Sequence, residues 1–334
     1  MCRPPLLRPP RVIATKRRTL STVVPSSTSD DIIHSSLEDA WASHARARSV
    51  WYQISMRLLL CFGLLSCLAG FAQKKTIFVI TDAEGVGGVC RQDQTDPKDQ
   101  EMRQLLTGET NAAVEGFLAG GAEEVIVWDG HDGSQTLSTL SIHPKAKLLM
   151  GALGPSMLMD RHFWAVAYVG QHSKANVRGG IMAHSYSSLG IQNMLLNGKP
   201  VGEIDVIAAM AGHFGTPVIM LSGDQAAANE LHEIVPDAEL AVVKEGIGRY
   251  TCISLSATAA RDAIREAARR SISKIGAIKL YIVSGPVTLQ VEYTTRNSLS
   301  LDAENRAGAQ VLDDRTIRFR GKDILEAWTL YRSR

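Results

Sequence analysis

A chain of 334 residues with 45% hydrophobic and 21% charged content can bury a sizeable core, which excludes a disordered or fibrous protein. Its formal net charge of +2 is set by residues 1–72, which hold nine of the 36 Lys and Arg but only four of the 34 Asp and Glu. The remaining 27 basic and 30 acidic residues leave no basic footprint for nucleic acid or an anionic membrane.

Residues 1–55 are rich in Arg, Ser and Pro and carry no periodic apolar pattern, so they are set apart from the fold as a non-native extension or a disordered leader. From Met56 the chain reads "MRLLLCFGLLSCLAGFAQKK": a basic start, an apolar run from Leu58 to Leu68, and small residues Gly70 and Ala72 before Gln73. That pattern predicts a secretory signal peptide over 56–72, with Met56 as the true start and cleavage after Ala72. The competing reading is a membrane anchor or a buried helix, but the run is too short to span a bilayer. The mature chain, 73–334, is therefore expected to be exported to the periplasm or beyond, without a stable membrane span. Cys2, Cys61 and Cys67 fall in the leader. Cys90 and Cys252, one widely separated pair, spell neither a disulfide framework nor a zinc knuckle.

Along the mature chain, short apolar runs alternate with helix-period segments. Strands are predicted at Thr76–Ile80, Glu124–Trp128, Ala165–Val169, Pro217–Leu221 and Lys279–Val283, and helices over Lys98–Leu118 and Asp224–Val235. Gly120 and Gly121 punctuate the end of the first helix, and Asp224 stands at the N-cap of the second. The alternation predicts an α/β fold with a largely parallel layered sheet flanked by helices. Asn197-Gly198, between apolar runs, predicts an inserted β-hairpin.

The first strand runs into "TDAEGVGGV", where Asp82 and Glu84, two apart on an extended chain, point to one side. Like charges converging there need a cation, a shared proton or water. The second strand runs into "DGHDGS" with His131, and the third into "GQHSKA" with His172. Ligands of open α/β sheets sit outside the carboxyl ends of the strands, so these residues are expected on one rim. "MAHSY" with His184 follows, then "VGE" with Glu203 beyond the hairpin. Imidazole and carboxylate together have the composition of a hydrolytic zinc site. Asp82, Glu84, His131, His172 and Glu203, with Asp82 bridging, supply three bonds to each of two ions and leave room for a shared water.

These segments, with "NGKPVGE" and "GKDILEAW", occur in the order and rough spacing of the zinc-dependent D-aminopeptidases of the dipeptide-permease operon type, which the chain resembles from about Lys75 to its end. The resemblance implies that Asp82, Glu84, His131, His172 and Glu203 hold two zinc ions and that His184 is a catalytic residue, proposed as the nucleophile. It also implies release of N-terminal D-amino acids from short peptides and a homo-oligomer, a ring-shaped decamer with the sites facing an inner channel. One departure is visible: the family motif usually has Ser two residues before the Asp, where Ile80 stands here.

Other polar residues carry plainer expectations. His143, His162, His213 and His232 are read as surface or satisfied core residues. Asp129 and Asp132 are either partners orienting His131 or turn formers. Lys244 and Arg249 either approach a substrate carboxylate or line a solvated strand edge. Competing functions are a magnesium phosphohydrolase, disfavoured by the histidines, an exported peptide-binding protein without catalysis, and a metal amidohydrolase or esterase of the same fold with another substrate.

Overall fold

The computed structural model describes residues 74–300 and 302–333; the leader expected at 1–55 and the signal peptide expected at 56–72 lie outside them. The first four strands, β1 (Thr76–Thr81), β2 (Glu124–Asp129), β3 (Ala146–Leu149) and β4 (Ala165–Gln171), precede a hairpin of β5 (Ile191–Leu196) and β6 (Lys199–Pro200). Then come β7 (Val218–Asp224), β8 (Glu239–Gly248), β9 (Thr251–Ser254), β10 (Val287–Tyr293), β11 (Ala309–Val311) and β12 (Thr316–Gly321). The α-helices are α1 (Gln100–Gly120), α2 (Glu203–His213), α3 (Gln225–Ile234), α4 (Ala257–Ile272) and α5 (Ile324–Arg332).

A seven-stranded sheet has the order β3-β2-β1-β4-β7-β8-β9, parallel except for β9. Strands β1, β4 and β7 are buried along their whole length. Parallel strands covered on both faces carry continuous rather than alternating apolar runs, and that is how these segments read. The helices end where their sequence places stops and starts. Asp99 caps α1 by accepting from the Met102 N–H, Gly121 closes it at φ 109°, and Asp224 accepts from the Ala227 N–H at the start of α3.

A second, antiparallel sheet of five strands, β11-β12-β10-β5-β6, goes beyond the predicted architecture. The hairpin at Asn197-Gly198 is present, both residues having positive φ. It is the start of this sheet rather than an isolated insertion, because β10 pairs along β5. Residues 279–283 are not a strand, contrary to the pattern. The place beside β8 that a further parallel strand would take is filled by β9, which returns antiparallel from Gly248. The 279–283 segment instead lays its backbone on α2, where a Cβ on Gly212 would meet the Tyr281 carbonyl oxygen at 2.0 Å. No described helix is long and apolar enough to cross a membrane.

Candidate metal centre

The carboxyl ends of β2, β1 and β4 lie side by side, as the rim argument requires. The loop after β1 is pressed onto β4: the Asp82 N–H donates to the Val169 carbonyl (2.9 Å) and the Gly85 N–H to the Gly170 carbonyl (2.7 Å). This contact is why glycine follows the two carboxylates. A Cβ on Gly85 would stand 2.1 Å from the Gln171 carbonyl oxygen, and one on Gly170, at φ +74°, 2.2 Å from that of Asp82. From below, the buried Lys244 ammonium donates to the carbonyls of Glu84, Val86 and Val89, and Glu109 of α1 accepts from the Gly87 N–H at 2.8 Å. Lys244 is thus neither a substrate contact nor an edge residue; it clamps the loop that carries the carboxylates. Ile80 is buried in β1 and lines the cavity without offering a ligand.

Two groups of potential ligands converge, Asp82 with Glu84 and His131, and His172 with His184 and Glu203, the ligand atoms of each lying within 4.8 Å of one another. Asp82 joins them. Its Oδ1 is 3.0 Å from His131 Nδ1, and its Oδ2 is 3.4 Å from His172 Nε2, which also stands 3.5 Å from Glu203 Oε2. Backbone carbonyls orient each ring. Thr95 takes His131 Nε2 (2.8 Å), Ser173 takes His172 Nδ1 (2.9 Å), and Met182 takes His184 Nδ1 (2.8 Å). Those bonds turn His131 Nδ1 and His172 Nε2 towards the carboxylates. Gln171 donates its amide to both Asp82 Oδ2 (3.0 Å) and Glu203 Oε2 (3.1 Å). The Tyr186 N–H holds Glu203 Oε1 at 2.7 Å.

His184 stacks on His172, centroids 4.1 Å apart and planes 13° from parallel. The segment bearing it is strained, with Met182 at φ 50° and Tyr186 at φ 61°. Such backbone persists where surrounding contacts over-determine it.

The electrostatics ask for positive charge. Burial, reinforced by Glu84, pushes the Asp82 carboxyl up. For Glu84 burial acts in the same direction, yet His131 holds it well below the usual range. Burial works against the charged form of His131, but Asp82 and Glu84 push it up to about 12. His172 is likewise driven well above its ordinary value, burial being overcome by Glu203 and Asp82. Even so, Glu84 Oε2 and His172 Nε2 are buried without a hydrogen bond. Orphaned polar atoms at this depth are costly, and a cation among them removes the cost.

Of the remaining candidates, Asp129 is a turn former. Its carboxylate accepts from the N–H groups of Thr136 and Leu137, both at 2.9 Å, and from the Thr136 hydroxyl. Asp132 has φ 38° and stands 3.8 Å from His131 Nε2, so it shapes the turn rather than the ring. Arg249 reaches the Ala183 carbonyl at 3.5 Å and lies over Tyr250. His162 bonds the Phe214 carbonyl, and the N–H of Lys145 donates to His143. Cys90 and Cys252 are joined by a disulfide with Cα atoms 6.2 Å apart, tying the end of the β1 loop to β9.

The cluster opens into a cavity of about 580 Å³. Three of its lining residues, Trp128, Trp328 and Arg332, are absent from the sequence-based candidates, and the last two come from α5, more than 120 positions beyond Glu203. Trp328 closes the "GKDILEAW" motif, but nothing in that motif marks a site residue, and the two α5 residues reach the cavity because the second sheet delivers α5. Tyr186 and Trp328 pack with ring centroids 5.0 Å apart.

Comparison with known proteins agrees with this picture. A "D-aminopeptidase" of Bacillus subtilis (strain 168) is 28% identical over 259 residues, covering 75% of this chain and 93% of that protein. The solved structure of the Zn-dependent D-aminopeptidase DppA from Bacillus subtilis, described as a self-compartmentalizing protease, superposes with a TM-score of 0.70 at 27% identity. The match covers 77% of this chain and 95% of that one. Residues 76–333 match the family described as D-aminopeptidase, and the chain accordingly belongs to that family of peptidase hydrolases.

Proposed function

We propose that this chain is a dinuclear zinc aminopeptidase that releases N-terminal D-amino acids from short peptides. The observation that carries the reading is the pairing of two ligand groups through Asp82, with Glu84 Oε2 and His172 Nε2 left as buried ligand atoms without a hydrogen bond. The donor set fits zinc, which takes imidazole nitrogen and carboxylate oxygen. Asp82, Glu84, His131, His172 and Glu203 would hold the ions, with Asp82 shared. Zinc held there supplies Lewis acidity towards the scissile carbonyl and acidifies water to near neutrality.

The chain's own residues do the rest. Thr95 and Ser173 fix which nitrogen His131 and His172 present, and Gln171 spaces Asp82 from Glu203. His184 donates Nδ1–H to Met182 and keeps Nε2 available, to move a proton or to attack the carbonyl. A cavity of about 580 Å³ suits a small peptide rather than a folded protein. A second reading has a specific observation behind it: His184 stands with His172 and Glu203 at ligand spacing, which suits a third ligand of the second ion.

Assembly into a homo-oligomer accords with the self-compartmentalizing relative. Export accords with the 56–72 segment, and a disulfide suits an oxidising compartment.

The test is metal analysis with paired substrates. Purified mature protein should carry close to two equivalents of zinc, lose hydrolysis reversibly to a chelator, and cleave D-aminoacyl dipeptides in preference to their L-counterparts. Full activity without metal would end the proposal. Cleavage of esters or other amides alone would move the chain to a sister activity.

A further inference from the structure

The α5 wall of the cavity carries chemistry that metal binding does not use. Arg332, the last residue of α5, lines the cavity. Among the described lining residues it is the sole Lys or Arg. Every other side chain there that carries a formal charge or an imidazole belongs to the cluster or is Asp132 or His184. Arg332 nevertheless makes no hydrogen bond or ion pair with any described residue, whereas six other described arginines, Arg91, Arg265, Arg269, Arg270, Arg296 and Arg315, each pair with a carboxylate. Arg332 and the carboxylates Asp82, Glu84 and Glu203 line the same cavity, with no ion pair between them. The indole of Trp328, one turn earlier, packs on Tyr186 and on Tyr331 at 5.0 and 5.2 Å, which fixes the end of α5 against the strained 182–186 segment.

An unpaired guanidinium beside a carboxylate-rich cluster suits an anion that must be kept away from that cluster. A short peptide is such a molecule. It carries an amine at the end to be cleaved and a carboxylate at the other, and a planar fork of N–H donors matches a carboxylate. From this we infer that Arg332 binds the free C-terminal carboxylate of the substrate, with Trp328 and Tyr186 forming the apolar wall beside it. The inference rests on the aminopeptidase reading and sharpens it. The enzyme would favour peptides short enough for the carboxylate to meet Arg332 while the amine end lies at the cluster in the same cavity.

The experiment separates the two claims by measuring binding and turnover on the same pair of ligands. A dipeptide analogue whose scissile carbonyl is replaced by CH2 is titrated calorimetrically into the zinc-loaded protein, once as the C-terminal acid and once as the amide. The acid should bind at least roughly tenfold more tightly, as for a charge-assisted bidentate contact. Arg332→Gln should bring the acid down to the level of the amide, and Arg332→Lys should restore part of the difference. Equal affinity of acid and amide in the parent protein, or a preference that survives Arg332→Gln, overturns the inference. Because Arg332 is exposed at a helix end, its variants should melt with the parent, and a variant that does not is replaced by the acid-amide comparison in the parent. Hydrolysis of the corresponding true dipeptides reports separately: carboxylate selectivity in binding with no cleavage would sink the aminopeptidase reading and leave Arg332 in place.

Discussion

At the scale of single residues, His172 and His184 lie in parallel stacked rings and yet face different demands. His172 Nε2 points between Asp82 and Glu203 and has no hydrogen bond, whereas His184 is anchored on Met182 at the cavity wall. His172→Ala should therefore lower zinc content and activity together. His184→Ala should keep its zinc while kcat falls at least about 10²-fold, the scale of a lost general acid or base. Zinc stoichiometry beside kcat for both variants decides this, and loss of metal from His184→Ala makes His184 a ligand. Gly85→Ala tests the loop itself. A methyl group 2.1 Å from the Gln171 carbonyl cannot be accommodated without moving the backbone that carries Glu84 or His172, and overpacking of that kind costs about 1–3 kcal/mol. The expected result is a lower Tm and weaker zinc retention; an unchanged Tm would show the contact to be soft. The convergence of the five candidate ligands was legible because each lies just past a strand or opens a helix in a polar, glycine-flanked motif. Gln171, inside "GQHSKA", carries no such signal, since an amide that positions carboxylates looks like any strand-end polar residue.

At the scale of elements, parallel strands and capped helices are written in local pattern, and so they can be read. The second sheet cannot, because β10 finds β5 across a long stretch of chain and its alternation also suits an edge of the first sheet. The buried charges between elements are equally silent in sequence. Glu230 of α3 accepts from the Lys174 N–H just past β4, and burial together with Asp205 pushes its carboxyl up to about 8, Lys174 opposing. A carboxyl raised above its unfolded value of 4.5 keeps a proton that the unfolded chain gives up, so stability is lost as pH rises from about 4.5 to about 8. Glu230→Gln should flatten that part of the stability curve. Melting temperatures of parent and variant across this range check it, and parallel pH profiles would refute it. Lys244 makes a companion case. It reaches from β8 to three carbonyls of the β1 loop, and burial lowers it to about 8 although Asp224, Glu109 and Glu84 oppose the change. Lys244→Met strands those carbonyls and leaves Arg261 as the remaining cation acting on Glu109. A loss of about 3–5 kcal/mol, the cost of breaking a buried charge arrangement, should appear in denaturant unfolding. Loosening of the Asp82–Glu84 loop should appear as reduced zinc affinity.

At the scale of the whole molecule, the distribution of apolar surface bears on assembly. Leu189, at the cavity rim, is 86% exposed, and Ile253 on β9 is 63% exposed, with Ile247 and Tyr250 also uncovered on the same hairpin. Strand β9 ends the seven-stranded sheet, so its outer row of backbone groups is unpaired within that sheet. Edge strands in isolated proteins are often blunted by charge or proline; β9 carries neither, and Ile253 stands exposed on it. A second copy of the chain is the occupant this surface suits, in line with the self-compartmentalizing relative. Light scattering of the mature protein should give a mass several times that of one chain. Ile253→Lys, which puts a charge on the exposed edge without touching the cluster, should lower that mass while zinc content per chain is retained. A monomeric parent protein would remove the argument, and an oligomer indifferent to Ile253→Lys would move the contact away from the β8–β9 hairpin.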